Sequence, residues 1–173
     1  RQLGRLTRRW GDMPRRARGF GLIELLVAVA IIAVIATLAV AAVGSAGGQR
    51  QSQREAERLS ALVTLACERA ALGGRPYGLH FGRGGYAFSR RFGADWRVER
   101  DSELRTRSLP ESLEIGVRRA GVPLPLEREP AQDPQGWCHP SGELAPLVLD
   151  IGPSGGPPHV RITLSADGRI TTE

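Results

Sequence analysis

Several residues of this chain are of types that do chemistry. His139, Ser141 and Asp150 are the members of a hydrolytic triad by type, and three histidines and two cysteines are metal ligands by type. A working triad needs its serine on a sharp elbow, a base beside it and a carboxylate orienting that base. Ser141 instead lies in Pro140-Ser141-Gly142-Glu143, a composition that makes a turn, with Glu143 a solvated charge beside it. The chain has no G-x-S-x-G elbow, no phosphate loop and no H-E-x-x-H pair, so neither catalysis nor a cofactor is expected. His80, His139 and His159 show no ligand spacing with Cys67 and Cys138, and no metal is expected. For the two cysteines, two separate buried thiols are the favoured expectation and a disulfide the alternative, because spacing alone does not tell how far apart the Cα atoms lie.

Arg90-Arg91 and Arg118-Arg119 are paired, with Tyr86, Phe88 and Trp96 close to the first pair in sequence. Arginines attract backbone phosphates and aromatic rings stack on single-strand bases. Asp95, Glu99, Asp101 and Glu103 crowd the same stretch, so solvated strand faces are expected and nucleic acid is not an expected partner.

The most unusual ionisable group is Glu24, alone among the twenty-four residues from Phe20 to Val43, which are otherwise apolar or uncharged. A helix of that length measures roughly 36 Å, enough for a hydrocarbon core of about 30 Å. A carboxylate in lipid is costly and is kept there for a use. Ahead of the run, residues 1–19 carry seven arginines and one acid, which holds that end in the cytoplasm and sends the C-terminal side outward. Those residues account for the whole formal charge of +6, and residues 20–173 hold seventeen arginines against seventeen acids. Bulk charge therefore gives no argument for a polyanionic partner. Two plainer readings of this region remain. One is a secretory signal cut near Ala42-Val43-Gly44 or Gly44-Ser45-Ala46; the other is a simple span with an incidental glutamate.

The elements that position these residues follow from periodicity. Gly44-Ser45-Ala46-Gly47-Gly48 should loosen a helix. Helical spacing resumes at Ala56, Leu59, Val63, Ala66 and Ala70, with Leu62, Leu65 and Leu72 widening the stripe. Arg50, Arg54, Glu55, Arg58, Glu68 and Arg69 make the opposite face, and Gly73-Gly74 with Pro76 stops the helix. Two hairpins are predicted: residues 77–81 with 86–90 around Gly82–Gly85, and a later one turning at Asp167-Gly168. Further strands are expected at 96–99, 113–117, 147–151 and 160–164, and the proline-rich stretch 121–136 should be a loop. About 130 residues beyond position 43 suffice for one domain with its own core.

Gly19-Phe20-Gly21-Leu22-Ile23-Glu24, after a basic leader and before the apolar run, resembles the signal of type IV pilins and pseudopilins. The residue after the phenylalanine is usually threonine in that family and is Gly21 here. The resemblance implies cleavage by a prepilin peptidase between Gly19 and Phe20, N-methylation of Phe20, and pairing of Glu24 with the new amino group of a neighbouring subunit, setting subunit register. The later stretches ERAALGGRPYGLHF, GYAF with its downstream Trp96, and Pro140 to Pro146 (PSGELAP) are similar to the H-type minor pseudopilins of type II secretion. The implied fold is α+β, a long N-terminal transmembrane and amphipathic helix packed on an antiparallel β-sandwich-like domain. The expected domains are a cleaved leader at 1–19, a transmembrane helix at 20–43, an amphipathic continuation at 44–75 and a periplasmic β domain at 76–173.

The implied function is that of a minor pseudopilin at the pseudopilus tip, supporting export of folded proteins across the outer membrane. Its partners would be the I-, J- and K-type minor pseudopilins, the G-type major pseudopilin, the prepilin peptidase and the inner-membrane assembly platform. It would sit in the inner membrane by a single pass, with a cytoplasmic N-terminus and a periplasmic domain. One alternative is a minor pilin of a type IV pilus, binding DNA in uptake; another is a single-pass anchored periplasmic binding domain.

Overall fold

The computed structural model describes residues 21–100 and 103–173, leaving aside the side chains of 38–46. The chain divides into two compact units, Arg1–Ala41 and Ala42–Glu173. One helix, α1 (Leu22–Gly73), supplies the helical part of both. The expected loosening at Gly44–Gly48 is not seen, since α1 runs through it. Glycine weakens a helix by about 1 kcal/mol but keeps its backbone N–H, so the hydrogen-bond ladder continues. The helix ends where predicted: Gly74 adopts a left-handed φ of 64° and donates its N–H to the Ala70 carbonyl at 2.9 Å.

In the second unit, the face of α1 carrying Ala56, Leu59, Val63, Ala66 and Ala70 is fully buried, as its three- and four-residue spacing requires. Leu62 and Leu65 pack at the margin of that stripe, whereas Leu72 is 89% exposed. Leu72 falls in the last turn, past the ground that the sheets cover.

Among the described residues, the strands form two antiparallel sheets of five. The first contains β1 (Tyr77–Gly82), β2 (Gly85–Phe92), β3 (Asp95–Val98), the short β4 (Arg107–Ser108) and β7 (Gly136–Cys138), in the order β3-β2-β1-β7 with β4 on β2. The second contains β5 (Leu113–Arg119), β6 (Val122–Pro123), β8 (Leu147–Pro153), β9 (Val160–Leu164) and β10 (Ile170–Thr172), in the order β10-β9-β8-β5-β6. Alternate residues of the longer strands enter the core: Tyr77, Leu79 and Phe81 from β1, Ile115 and Val117 from β5, Leu149 and Ile151 from β8. The α1 stripe shares that core, giving the α+β architecture expected.

The stretch 121–136 is not a free loop. It lies along β1 as a strap, with Arg83 and Gly84 donating backbone N–H groups to the Glu127 and Arg128 carbonyls. The Gln135 carboxamide accepts from the Phe81 N–H and donates to the Phe81 carbonyl, both at 2.8 Å, as a neighbouring strand would. Gly82 is what admits the strap. A Cβ there would come within 2.3 Å of the Glu129 backbone.

Candidate functional site

The first turn of α1 carries the acid singled out above. Gly21 precedes the helix, and Glu24, its third residue, reaches back to accept the Gly21 N–H at 3.0 Å. This is the reciprocal half of a capping box, which satisfies one of the donors a helix N-terminus leaves open. The helix that follows shows apolar side chains all round within its own unit. Leu22, Ile23, Leu25, Leu26, Ile32 and Ile35 are each more than half exposed. Such a surface needs lipid or other helices to cover it. Gly19 and Phe20, the expected cleavage and methylation positions, lie outside the described residues, as does the leader. The expected span 20–43 is only partly described. Among the described residues no helix is long and apolar enough to cross a membrane.

In the second unit the two cysteines are bonded. The Cys67–Cys138 bridge spans a Cα separation of 5.0 Å and ties α1 to β7, replacing the expectation of two separate thiols. Helical spacing turns Cys67 toward the margin of the buried stripe, and β7 brings Cys138 to it as the neighbour of Tyr77 in register. Their sequence separation of 71 hides the pairing from any local pattern.

The residues of the hydrolytic triad by type are not assembled. The Ser141 hydroxyl lies 2.8 Å from His139 Nδ1, and the Ser141 backbone N–H donates to the same nitrogen at 3.3 Å, a local turn arrangement. Asp150 belongs to β8 and is held there by Arg161 at 2.8 Å and Arg118 at 3.0 Å. That carboxylate is nearly buried and fully engaged in its clamp, which answers the desolvation that burial imposes. Among the described residues no group of three acids, histidines or cysteines could hold a metal.

The arginine pairs do not form one patch. Arg90 and Arg91 lie on β2, whereas Arg118 and Arg119 lie on β5 in the other sheet. Tyr86 and Phe88 pack edge to face in the core and are closed to any base. Burial, with Glu55 adding to it, pushes the Tyr86 phenol up to about 12. His80 was visible in the sequence only as a histidine without ligand spacing. It is buried, with Nδ1 2.9 Å from the Ala131 carbonyl and Nε2 2.7 Å from the Ser89 hydroxyl. A carbonyl only accepts, so Nδ1 carries the proton and Ser89 donates to Nε2. His80 thereby pins the strap to β1 and β2. Gly78 and Gly82, small residues inside a strand, were the sequence signal for that close cover.

Comparison with known proteins bears on both units. Residues 14–47 match the prokaryotic N-terminal methylation motif. The chain is 37% identical over 165 residues to the type II secretion system protein H of Pseudomonas aeruginosa, covering 89% of this chain and 93% of that protein. The chain belongs to the type II secretion system protein H family. The protein H of Aeromonas hydrophila is 27% identical over 148 residues, covering 79% of this chain and 81% of the relative. In fold, the crystal structure of the minor pseudopilin EpsH from the type II secretion system of Vibrio cholerae matches with a TM-score of 0.62 at 24% identity. That match covers 72% of this chain and 94% of EpsH. The solution structure of Escherichia coli GspH matches with a TM-score of 0.59 at 20% identity, covering 72% and 89% of the two chains. As a member of the protein H family, the chain is a protein of the type II secretion system.

Proposed function

We propose that this protein H is made as a prepilin, cut between Gly19 and Phe20 and methylated on Phe20, and then assembled at the tip of the pseudopilus. The observation that carries the reading is α1 itself. Its first turn holds an acid, and the turns that follow expose apolar side chains on every side within the first unit. A helix of that kind stored in the inner membrane is covered by lipid, and in a filament by the helices of neighbouring subunits. Residues 20–43 would form the single pass, with the leader cytoplasmic and the β domain periplasmic. Glu24 would pair with the amino terminus of a neighbour and set register. The I-, J- and K-type minor pseudopilins would be the tip partners, the G-type major pseudopilin would lie below, and the prepilin peptidase and inner-membrane platform would act during assembly. Export of folded proteins would depend on the result.

The experiment is a gene deletion, complemented in parallel, scored for secreted hydrolases in the supernatant and for DNA uptake and twitching. Enzymes retained in the periplasm and restored by complementation are expected. Normal secretion with lost uptake or motility would move the protein to a type IV pilus.

A further inference from the structure

Beyond the end of α1, three cations share one ring. The guanidinium carbons of Arg75, Arg90 and Arg97 lie 4.7, 4.9 and 4.7 Å from the Phe92 centroid. Arg75 comes from the turn after α1, Arg90 and Phe92 from β2, and Arg97 from β3, where it is the register partner of Arg90. A guanidinium stacked on a ring has its plane held, while its N–H edge remains open to an acceptor. Beside the ring is a cleft of about 570 Å3, lined by Arg69, Arg75, Arg90 and Tyr77 together with Leu72 at the helix end.

Among the described residues, the cations here are only partly paired. Arg69 pairs with Glu103, and Glu99 approaches Arg90 Nε at 3.1 Å. That Glu99 contact is an ion pair not aligned as a hydrogen bond, so Arg90 Nε is a buried donor with no hydrogen-bond acceptor among the described residues. Arg75 and Arg97 are exposed and form no ion pair among the described residues. Of the three guanidiniums on the ring, Glu99 offsets the charge of Arg90, and an anion supplied from outside relieves the repulsion that Arg75 and Arg97 add.

We propose that this cluster is a docking site for a short acidic segment of a partner protein. Its carboxylates would seat edge-on against Arg75 and Arg97 and reach toward Arg90 through the cleft. Glu99 already shows that a carboxylate fits beside Arg90. The exposed Leu72 at the rim offers an apolar contact next to the charges. Asp95, the register partner of Phe92, and Glu103 border the cluster. A continuous polyanion would run onto these acids, whereas two or three carboxylates fit between them. The site does not depend on assembly through α1, so its failure leaves that reading untouched.

The test uses the full chain in detergent micelles and a fluorescein-labelled peptide carrying three consecutive glutamates, read by fluorescence anisotropy at low salt. The double variant Arg75→Gln/Arg97→Gln should weaken binding by about tenfold or more, as loss of two charge-assisted contacts implies. Arg128→Gln, at an exposed arginine on the strap, should change it by less than about twofold. Thermal unfolding checks the fold, and Arg97→Gln alone serves if the double variant is unstable. Equal loss at Arg128, or no binding by the wild type, overturns the proposal. Displacement of the probe by oligothymidylate or inorganic phosphate at lower concentration than by unlabelled peptide also overturns it, in favour of a phosphate surface.

Discussion

The Glu24 carboxylate accepts the Gly21 backbone N–H at 3.0 Å, so the acid that would set subunit register also closes the first turn of its own helix. The two roles are separable by substitution. Glutamine can occupy the same position of a capping box, while alanine cannot. Glu24→Ala should be processed to mature size and incorporated poorly into the pseudopilus. Glu24→Gln should start the helix normally and still be incorporated poorly, because it lacks the charge. Incorporation of the glutamine variant at the wild-type level, measured in sheared pseudopili, would leave Glu24 a capping role only.

The Cys67–Cys138 bridge closes a long segment and ties α1 to the edge of the first sheet. Replacing both cysteines by alanine should lower stability by about 2–5 kcal/mol, the usual range for a native bridge in a small exported domain. Thermal unfolding with and without reductant measures this. Reductant should shift the wild-type midpoint and leave the double variant unmoved. An unmoved wild type, with free thiols confirmed by titration, would show that the bridge contributes nothing to stability.

His80 gives the domain a pH dependence. Desolvation by burial lowers its pKa below 6.5, against the opposing pull of the Ala131 carbonyl and Asp133. The unfolded state therefore binds the proton first as pH falls. The stability that neutral His80 supports is complete above the unfolded pKa and is lost as pH falls from about 6.5 toward the lowered folded value. His80→Asn should be less stable than wild type at pH 7.5. The gap between the two should narrow as pH is lowered to 5. Parallel unfolding curves for the two proteins across that range would remove His80 as the source.

Local periodicity determined much of this protein. The stripe at Ala56, Leu59, Val63, Ala66 and Ala70, the stop at Gly74 and the β1–β2 hairpin all follow from the spacing and type of residues near one another in sequence. The Glu24 position in an apolar run was equally plain, because one charge in such a run stands out. The two- and three-residue strands β4, β6 and β7 were not legible, since so few residues show no period.

Only the tertiary structure decided which distant groups meet. It bonded Cys67 to Cys138 and clamped Asp150 between Arg118 and Arg161. It laid the proline-rich stretch along β1 through Gln135 and His80, and it gathered Arg75, Arg90 and Arg97 on Phe92. The physical reason is the same in each case. Hydrogen bonds, ion pairs and a disulfide act over a few ångströms in space, and chain separation carries no information about that distance until the sheets are packed.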